Sequence, residues 1–439
     1  MAKNSLKWLA LLGGVALGGA TLAVAQDSGP LIDALVKKGV LNDQEAEEIR
    51  ADLQKDFAES SAGKLNVSSN LKELKISGDA RVRYEYRSGE NNTSDSQERD
   101  RYRYRFRLGL TGKFSEGWFF GTRIETSAGN RSTNVTLGDS GASGPFNKAS
   151  GGLYIGQVYI GKTSSGELGD LTVTGGRFAN PLTTTSMVWD GDINIDGLAE
   201  QWSYAASDKV TYAANLMQAV YDDGNSENPF GGGTQNNEVY LLAAQAGAKV
   251  KLGGGYTLSV MPTWYEYGNA RGDNPGALTS SNATPVGLRI IEIPIELGFK
   301  LGGLPAKVWL DYAVNLDADD RADFFGNNAG GEDTAYQIGF SLGQTKAKGD
   351  WEAKVFYQSV EALALDSNLV DSDLFDGRTN IEGFVLSGTY VFVNGVTGTL
   401  TYAQGDRKND NFGTFGTGDI GAANLTNYRL IQADVSVKF

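Results

Sequence analysis

The chain has 439 residues, 53 of them acidic and 39 basic, for a formal net charge of −14; it has 58 glycines and 9 prolines, and neither histidine nor cysteine. The two missing residue types exclude imidazole or thiolate catalysis, Cys/His zinc sites, haem held by His or Cys, and disulfides, leaving Asp and Glu for hard cations. Glycine at about 13% is nearly twice its usual share, and with 19 Tyr, 19 Phe and few prolines it favours β-structure. The acidic total argues against a nucleic-acid partner.

Residues 1–25 have the layout of an export signal: Lys3 and Lys7, an apolar run from Trp8 to Leu22, and the small-x-small site Ala23-Val24-Ala25. Cleavage there would start the mature chain at Gln26 and take its charge to −16. An uncleaved anchor is disfavoured by the glycines in so short an apolar run. No other stretch reaches the ~18 apolar residues of a membrane helix, so a β-barrel is the remaining way to span a bilayer.

Residues 26–60 are expected to be helical and periplasmic. Leu31, Ile32 and Leu35 lead to the stop signal Lys37-Lys38-Gly39, and Asn42-Asp43-Gln44-Glu45 has capping-box spacing for a second helix. In that second helix Ala46, Ile49, Leu53 and Phe57 make a stripe too narrow to form a core alone, which suits self-association or a spacer. Residues 61–73 are read as a linker, and 74–439 as the barrel.

From Leu74 the hydrophobic period changes to 2. Ile76, Ala80, Val82 and Tyr84 alternate with Ser77, Asp79, Arg81, Arg83 and Glu85; next, Tyr102, Tyr104, Phe106 and Leu108 alternate with Arg101, Arg103, Arg105 and Arg107. Sixteen such segments follow one another, near 74–86, 101–112, 117–126, 153–162, 170–177, 198–206, 209–221, 237–252, 255–267, 287–301, 304–316, 334–346, 349–361, 378–393, 396–406 and 427–439. Seven short connections alternate with eight long ones, the pattern of an up-and-down outer-membrane barrel with both chain ends on the short-turn side. The fold class is therefore all-β: a 16-stranded antiparallel transmembrane barrel with a short N-terminal helical segment. Pro262 and Pro294 fall inside the ninth and tenth segments and imply either bulges or shifted boundaries. A soluble barrel of sixteen strands would enclose more space than its side chains could fill.

The chain ends in alternating apolar residues and a terminal Phe439. With Leu35-Val36-Lys37-Lys38-Gly39-Val40-Leu41, the Arg-rich second strand, and Gly176-Arg177-Phe178-Ala179-Asn180-Pro181 leading to Val188-Trp189-Asp190-Gly191-Asp192, it resembles the putative β-barrel porin family of Gram-negative bacteria. The resemblance implies a passive diffusion channel in outer-membrane lipid, a homotrimer, and a C-terminal Phe439 read by the barrel-assembly machinery. It names no substrate and implies no cofactor.

Residues two apart on a strand share a face about 6.6–6.8 Å apart, so Arg101, Arg103, Arg105 and Arg107 should form a column on the lumen wall, widened by Arg81 and Arg83. Such a column favours anions; alternatively Asp79, Glu85 and Glu125 neutralise it and it is structural. The loop from Phe178 to Gly197, with Trp189, Asp190, Asp192 and Asp196, is a candidate constriction that would set an acidic face against the basic wall; its alternative is an external loop over a neighbouring subunit. Trp118, Phe120, Trp264, Trp351, Tyr390 and Phe392 fit an interfacial aromatic girdle. Asp317-Ala318-Asp319-Asp320-Arg321-Ala322-Asp323 is read as a solvated outer loop lacking the glycine and glutamate of a calcium loop, and Arg271-Gly272-Asp273 as coincidence. No catalytic or metal residue is assigned: without histidine a Ser-His-Asp site cannot form. A structural barrel anchoring the envelope through its N-terminal helices, with peptidoglycan as partner, is the alternative function.

Overall fold

The computed structural model describes residues 32, 35–38, 41, 44–49, 68–91, 96–128, 132–138, 151–222, 239–268, 286–324, 331–416, 418–420 and 424–439. The chain divides into two units, 1–68 and 69–439. In the first, residues 35–37 and 44–49 are helical, at the two positions expected from the stop signal and the capping box. The export signal and the Arg-Gly-Asp tripeptide lie outside the described residues.

The second unit is a closed antiparallel barrel of sixteen strands. They are β1 (Glu73–Asn91), β2 (Ser96–Lys113), β3 (Trp118–Ser127), β4 (Gly152–Gly166), β5 (Gly169–Ala179), β6 (Asn194–Ala205), β7 (Val210–Asp222), β8 (Val239–Lys251), β9 (Thr257–Val260 and Thr263–Gly268), β10 (Arg289–Leu301), β11 (Leu304–Asn315), β12 (Thr334–Gly343), β13 (Trp351–Val360), β14 (Ile381–Val393), β15 (Val396–Arg407) and β16 (Leu425–Lys438). Each pairs with its sequence neighbour, and β1 closes on β16 from Asp79↔Lys438 to Asn91↔Leu425. Closure removes both sheet edges, which a strand in lipid requires because no water can satisfy a free edge. Phe439 extends the seam: its amide and carbonyl exchange bonds of 3.0 and 2.9 Å with Gly78.

Alternation puts apolar side chains outward. Val82, Ile160 and Leu400 are 56%, 62% and 61% exposed, an arrangement that lipid accommodates and water does not. Of the aromatic residues assigned to the girdle, Trp118, Trp264, Trp351, Tyr390 and Phe392 are exposed. The short connections are tight turns. In the β10–β11 turn Gly302 and Gly303 both take positive φ, 58° and 84°, the conformation of a two-residue hairpin that other residues resist.

Pro262 and Pro294 produce neither a bulge nor a shifted boundary. β9 is interrupted at Met261–Pro262, yet its register with β8 and with β10 is the same on both sides of the break. The Ala246 amide donates to the Pro262 carbonyl and the Met261 amide to the Pro294 carbonyl, both at 3.1 Å; the return bonds are lost because proline has no N–H. The Met261 carbonyl, left without the donor Pro294 would have supplied, accepts instead from Thr263 Oγ1 at 3.2 Å and Gln245 Nε2 at 3.3 Å.

The interior is not uniformly wet, as the alternation suggested it would be. Met217, Leu241, Ala243, Ala313 and Ala335 on the inner face of β7, β8, β11 and β12 pack against Leu182, Met187, Val188 and Trp189 from one loop and Leu365 and Leu369 from another. Met187 and Leu365 are 0% and 1% exposed, and burying side chains of this size is worth about 1.5–3 kcal/mol each. The Asp-rich segment, expected as loop, forms a short helix, Ala318–Phe324, with Asp319 and Asp320 in the first turn, where the helix dipole favours acid.

Gln245 joins the interrupted strand to the loop crossing the lumen, since it also bonds both the amide and the carbonyl of Thr183, at 3.0 and 2.9 Å. Gln245→Ala is therefore expected to lower the thermal unfolding temperature of the folded barrel, each buried group left unpaired costing about 1–3 kcal/mol. An unchanged midpoint in a circular-dichroism melt would contradict this role.

Candidate functional site

The site is the lumen cross-section at the level of residues 180–193, bounded by two walls of different chemistry. The first wall is β1, β2 and β16. In the β1–β2 register Asp79 faces Arg107, Arg81 faces Arg105, Arg83 faces Arg103 and Glu85 faces Arg101. Like charges directly opposite one another are destabilising, so the arginines need acid from elsewhere.

They receive it. Arg83 forms a fork with Asp434 of β16, Nε at 2.7 Å and Nη2 at 2.9 Å, and its Nη1 donates to Asp373 at 2.6 Å. Arg81 lies 3.7 Å from Asp434 and bonds Asn134. Arg101 donates to Glu85 at 2.6 Å and also pairs with Asp419. Arg103 reaches Glu85 at 3.5 Å and donates to the Asn134 carbonyl at 3.2 Å. Arg105 and Arg107 share Asp79, at 2.8 and 2.7 Å. Arg87, which sequence reasoning left out of the column, is fully buried and pairs with Glu85 and Asp376 at 3.0 and 3.1 Å. All six arginines assigned to the wall are on one face, and every one is in an ion pair. Glu125 serves Arg123, not the column itself.

The candidate constriction loop divides. Asp192 reaches the basic wall, 3.7 Å from Arg105 and 3.6 Å from Arg107, and accepts from Thr133 Oγ1 at 2.8 Å. Asp190 accepts from the Ser372 amide and hydroxyl at 3.0 and 2.8 Å. Trp189 is buried in the apolar cluster, and its indole donates to the Ile193 carbonyl at 3.3 Å. Asp196 is not brought to the site. It shares the outward parity of exposed Leu198 and pairs with Arg177 at 2.6 and 2.7 Å, both about half exposed.

The second wall was missed. Thr183, Thr184, Thr185 and Ser186 step across it. Thr183 bonds Gln245, Thr184 Oγ1 donates to Glu292 at 2.6 Å, Thr185 Oγ1 to Asp311 at 2.5 Å, and Gln337 donates to Ser186 Oγ at 3.4 Å. Tyr265 adds a bond to Glu292 at 2.6 Å. The available signal was a lone acid or amide at inward parity in an otherwise apolar strand, as Glu292 sits between isoleucines, facing a Thr-Thr-Thr-Ser run. These contacts place residues 183–186 inside the barrel, not over an outer rim.

A second inward loop, 361–380, was also missed. Its Leu369 carbonyl accepts from the Asp190 amide at 2.6 Å, and its Asp371 amide donates to the Ser186 carbonyl at 3.1 Å. Asp366 accepts from Tyr221 and Tyr267 at 2.8 and 3.2 Å. The two loops thus cross the lumen as one body. On the short-turn side they leave cavities of about 380 Å³ beside Asp79, Arg107, Arg123 and Phe439 and about 290 Å³ beneath Thr183–Ser186.

The loop carboxylates are shifted in opposite directions by their surroundings. Burial raises Asp371, and the neighbouring charges of Asp190 and Asp373 raise it further. Burial alone would raise Asp373 too, but the guanidinium groups of Arg83, Arg87, Arg81 and Arg103 hold it far below the ordinary carboxylate range. Burial also raises Asp190, against the bonds it accepts from Asp192 and Ser372. Among the described residues no group of three or more acidic side chains has metal-holding geometry.

Opposite pH behaviour follows for two variants. A lowered folded pKa gives stability that is present above the unfolded value, ~4, and is lost as pH falls below it; a raised one is a penalty at neutral pH that protonation removes. Asp373→Asn should therefore be less stable than the parent at pH 7, the gap narrowing below about pH 4. Asp371→Asn should be more stable at pH 7, that gain vanishing as pH falls through the raised pKa. Melting temperatures across the pH range check both; equal offsets at all pH values would contradict them.

A sequence model of the family described as "Putative porin" matches residues 90–289 and 299–412. No curated protein matches the chain. Among solved structures, Pseudomonas putida OprB shares 11% identity over 83% of this chain and 94% of its own, with a TM-score of 0.50. OmpF of Salmonella typhi, solved with daunomycin, shares 10% over 85% and 99%, with a TM-score of 0.48. A mutant Rhodopseudomonas blastica porin shares 11% over 84% and 100%, with a TM-score of 0.43.

Proposed function

Because the chain belongs to the family of putative porins and its barrel forms an outer-membrane channel, we propose that it passes small hydrophilic solutes and ions by passive diffusion between its two loop-bearing walls. What supports this reading is the pair of loops bonded to each other and to inward-facing wall residues, 180–193 and 361–380, with cavities remaining beside them on the short-turn side. The constriction residues are Asp190 and Asp192, with Trp189 holding the loop's shape.

An anion preference from Arg81, Arg83, Arg101, Arg103, Arg105 and Arg107 is reduced by the acids that pair with them, so any preference is local and weak. Arg105 and Arg107 retain the most influence on a passing ion, since they face Asp192 of the crossing loop and Arg107 has the most exposed side chain of the six. The working form is a homotrimer in outer-membrane lipid. It is exported through a cleaved signal of residues 1–25, and Phe439 on the closing seam is the element read by the barrel-assembly machinery.

Planar-bilayer recordings of the purified native oligomer test the channel. Replacing residues 184–191 by a Gly-Ser linker should raise single-channel conductance, and Arg105→Gln with Arg107→Gln should move the reversal potential under a KCl gradient toward cations. Unchanged conductance refutes the constriction, and an unmoved reversal potential refutes the basic wall's influence on ions.

Helical residues 35–37 and 44–49 favour a second role alongside the first, anchoring the envelope through peptidoglycan, with 61–73 as linker. The full chain should sediment with purified peptidoglycan and a chain lacking 26–60 should not; equal recovery removes the anchor.

A further inference from the structure

The lumen toward the short turns holds charges that the ion-pair network leaves over. In the cavity of about 290 Å³ beneath Thr183–Ser186, the wall is formed by β9 to β13. Its centre is Trp309, whose ring lies across Gly339 of β12: a Cβ on that glycine would meet Trp309 Cζ2 at 2.1 Å. The ring approaches Phe356 with centroids 6.2 Å apart and is held by its indole N–H donating to Gln337 Oε1 at 2.8 Å.

Two ammonium groups sit over this platform. Lys307 Nζ and Lys354 Nζ are each 5.7 Å from the Trp309 ring, and Lys354 is also 5.5 Å from that of Phe356. Both residues pair in register with Ser341, from opposite sides. Lys307 is satisfied by Glu296 at 2.8 Å. The Lys354 side chain has no hydrogen bond and no ion pair within 4.0 Å among the described residues, and neither has that of Glu352, two residues away on the same strand face, whose charge Lys354 feels only at longer range. That spacing separates their backbones by about 6.6–6.8 Å. The cavity therefore offers one unpaired cation and one unpaired anion side by side, with the cation steadied by two rings and loop hydroxyls overhead.

We propose that this cavity is a binding station for small zwitterions of the amino-acid type, taking the carboxylate at Lys354 and the ammonium at Glu352. A simple anion would meet the Glu352 carboxylate beside it, and a simple cation would meet Lys354. A neutral solute engages neither charge, whereas a zwitterion satisfies both without breaking any existing pair. The station rests on the diffusion-channel reading.

The test uses the full-length native oligomer in liposomes, comparing entry of glycine with that of glycolamide, its uncharged isomer. Glycine should enter about threefold faster at low concentration, the scale of one exposed ion pair, and its rate should saturate. Lys354→Gln and Glu352→Gln should each bring the glycine-to-glycolamide ratio to one, whereas Lys354→Arg should keep it. Equal entry of the two solutes in the parent, or a glycine advantage that survives both substitutions, overturns the station. So does block of KCl current by acetate that depends on Lys354 and not on Glu352, since that describes an anion site. Absence of both glycolamide entry and KCl conductance overturns the channel itself, and the station with it.

Discussion

Arg81 faces Arg105 and Arg83 faces Arg103 directly across the β1–β2 ladder, and much of the interior follows from having to compensate them. A guanidinium cannot shed its charge at working pH, and a charge removed from water must be paired. The acids come from four places: Asp79 and Glu85 on β1, Asp434 on β16, Asp192 from the loop 180–193, and Asp373, Asp376 and Asp419 from the later long loops. The Asp434 contribution lies on the strand that closes the barrel, so the same ion pairs that neutralise the wall also tie the seam. The loop contributions draw chain into the lumen.

The opposite wall holds the crossing loop by hydrogen bonds and apolar contact. A row of hydroxyls from Thr183 to Ser186 meets Gln245, Glu292, Asp311 and Gln337, while Leu182, Met187 and Val188 bury against Met217, Leu241 and Ala243. The prolines fit this arrangement. They remove two ladder bonds at one place, and Gln245, which satisfies the Met261 carbonyl, one of the two left over, is also the side chain that grips Thr183. A loop fixed at both ends, by charge on one side and packing on the other, keeps its position across a wet lumen, which one anchored end would not ensure.

The strands were legible because their signal is local. Sixteen segments with period-2 alternation and alternating short and long connections correspond to the sixteen strands observed, including the chain's return to its own first strand. The shared face of the six arginines follows from the same parity. The two prolines read as bulges or shifted boundaries because local sequence shows only the missing N–H; that the register runs on unbroken depends on side-chain donors, Gln245 and Thr263, which only the folded sheet brings to the Met261 carbonyl. Asp196 was grouped with Asp190 and Asp192 by sequence proximity, although it already lies in β6, where alternation turns it outward to Arg177.

The amino-acid order by itself determined the barrel, the parity of each wall residue and which connections are long. These depend on backbone hydrogen bonding and on side chains two residues apart. Tertiary structure decided which acid meets which arginine and where the long loops go. Arg83 and Asp373 are 290 residues apart, and Thr185 and Asp311 are 126 apart. No local period encodes such pairs; they exist because closing the sheet brings distant strands around one interior and leaves their charges to be satisfied there.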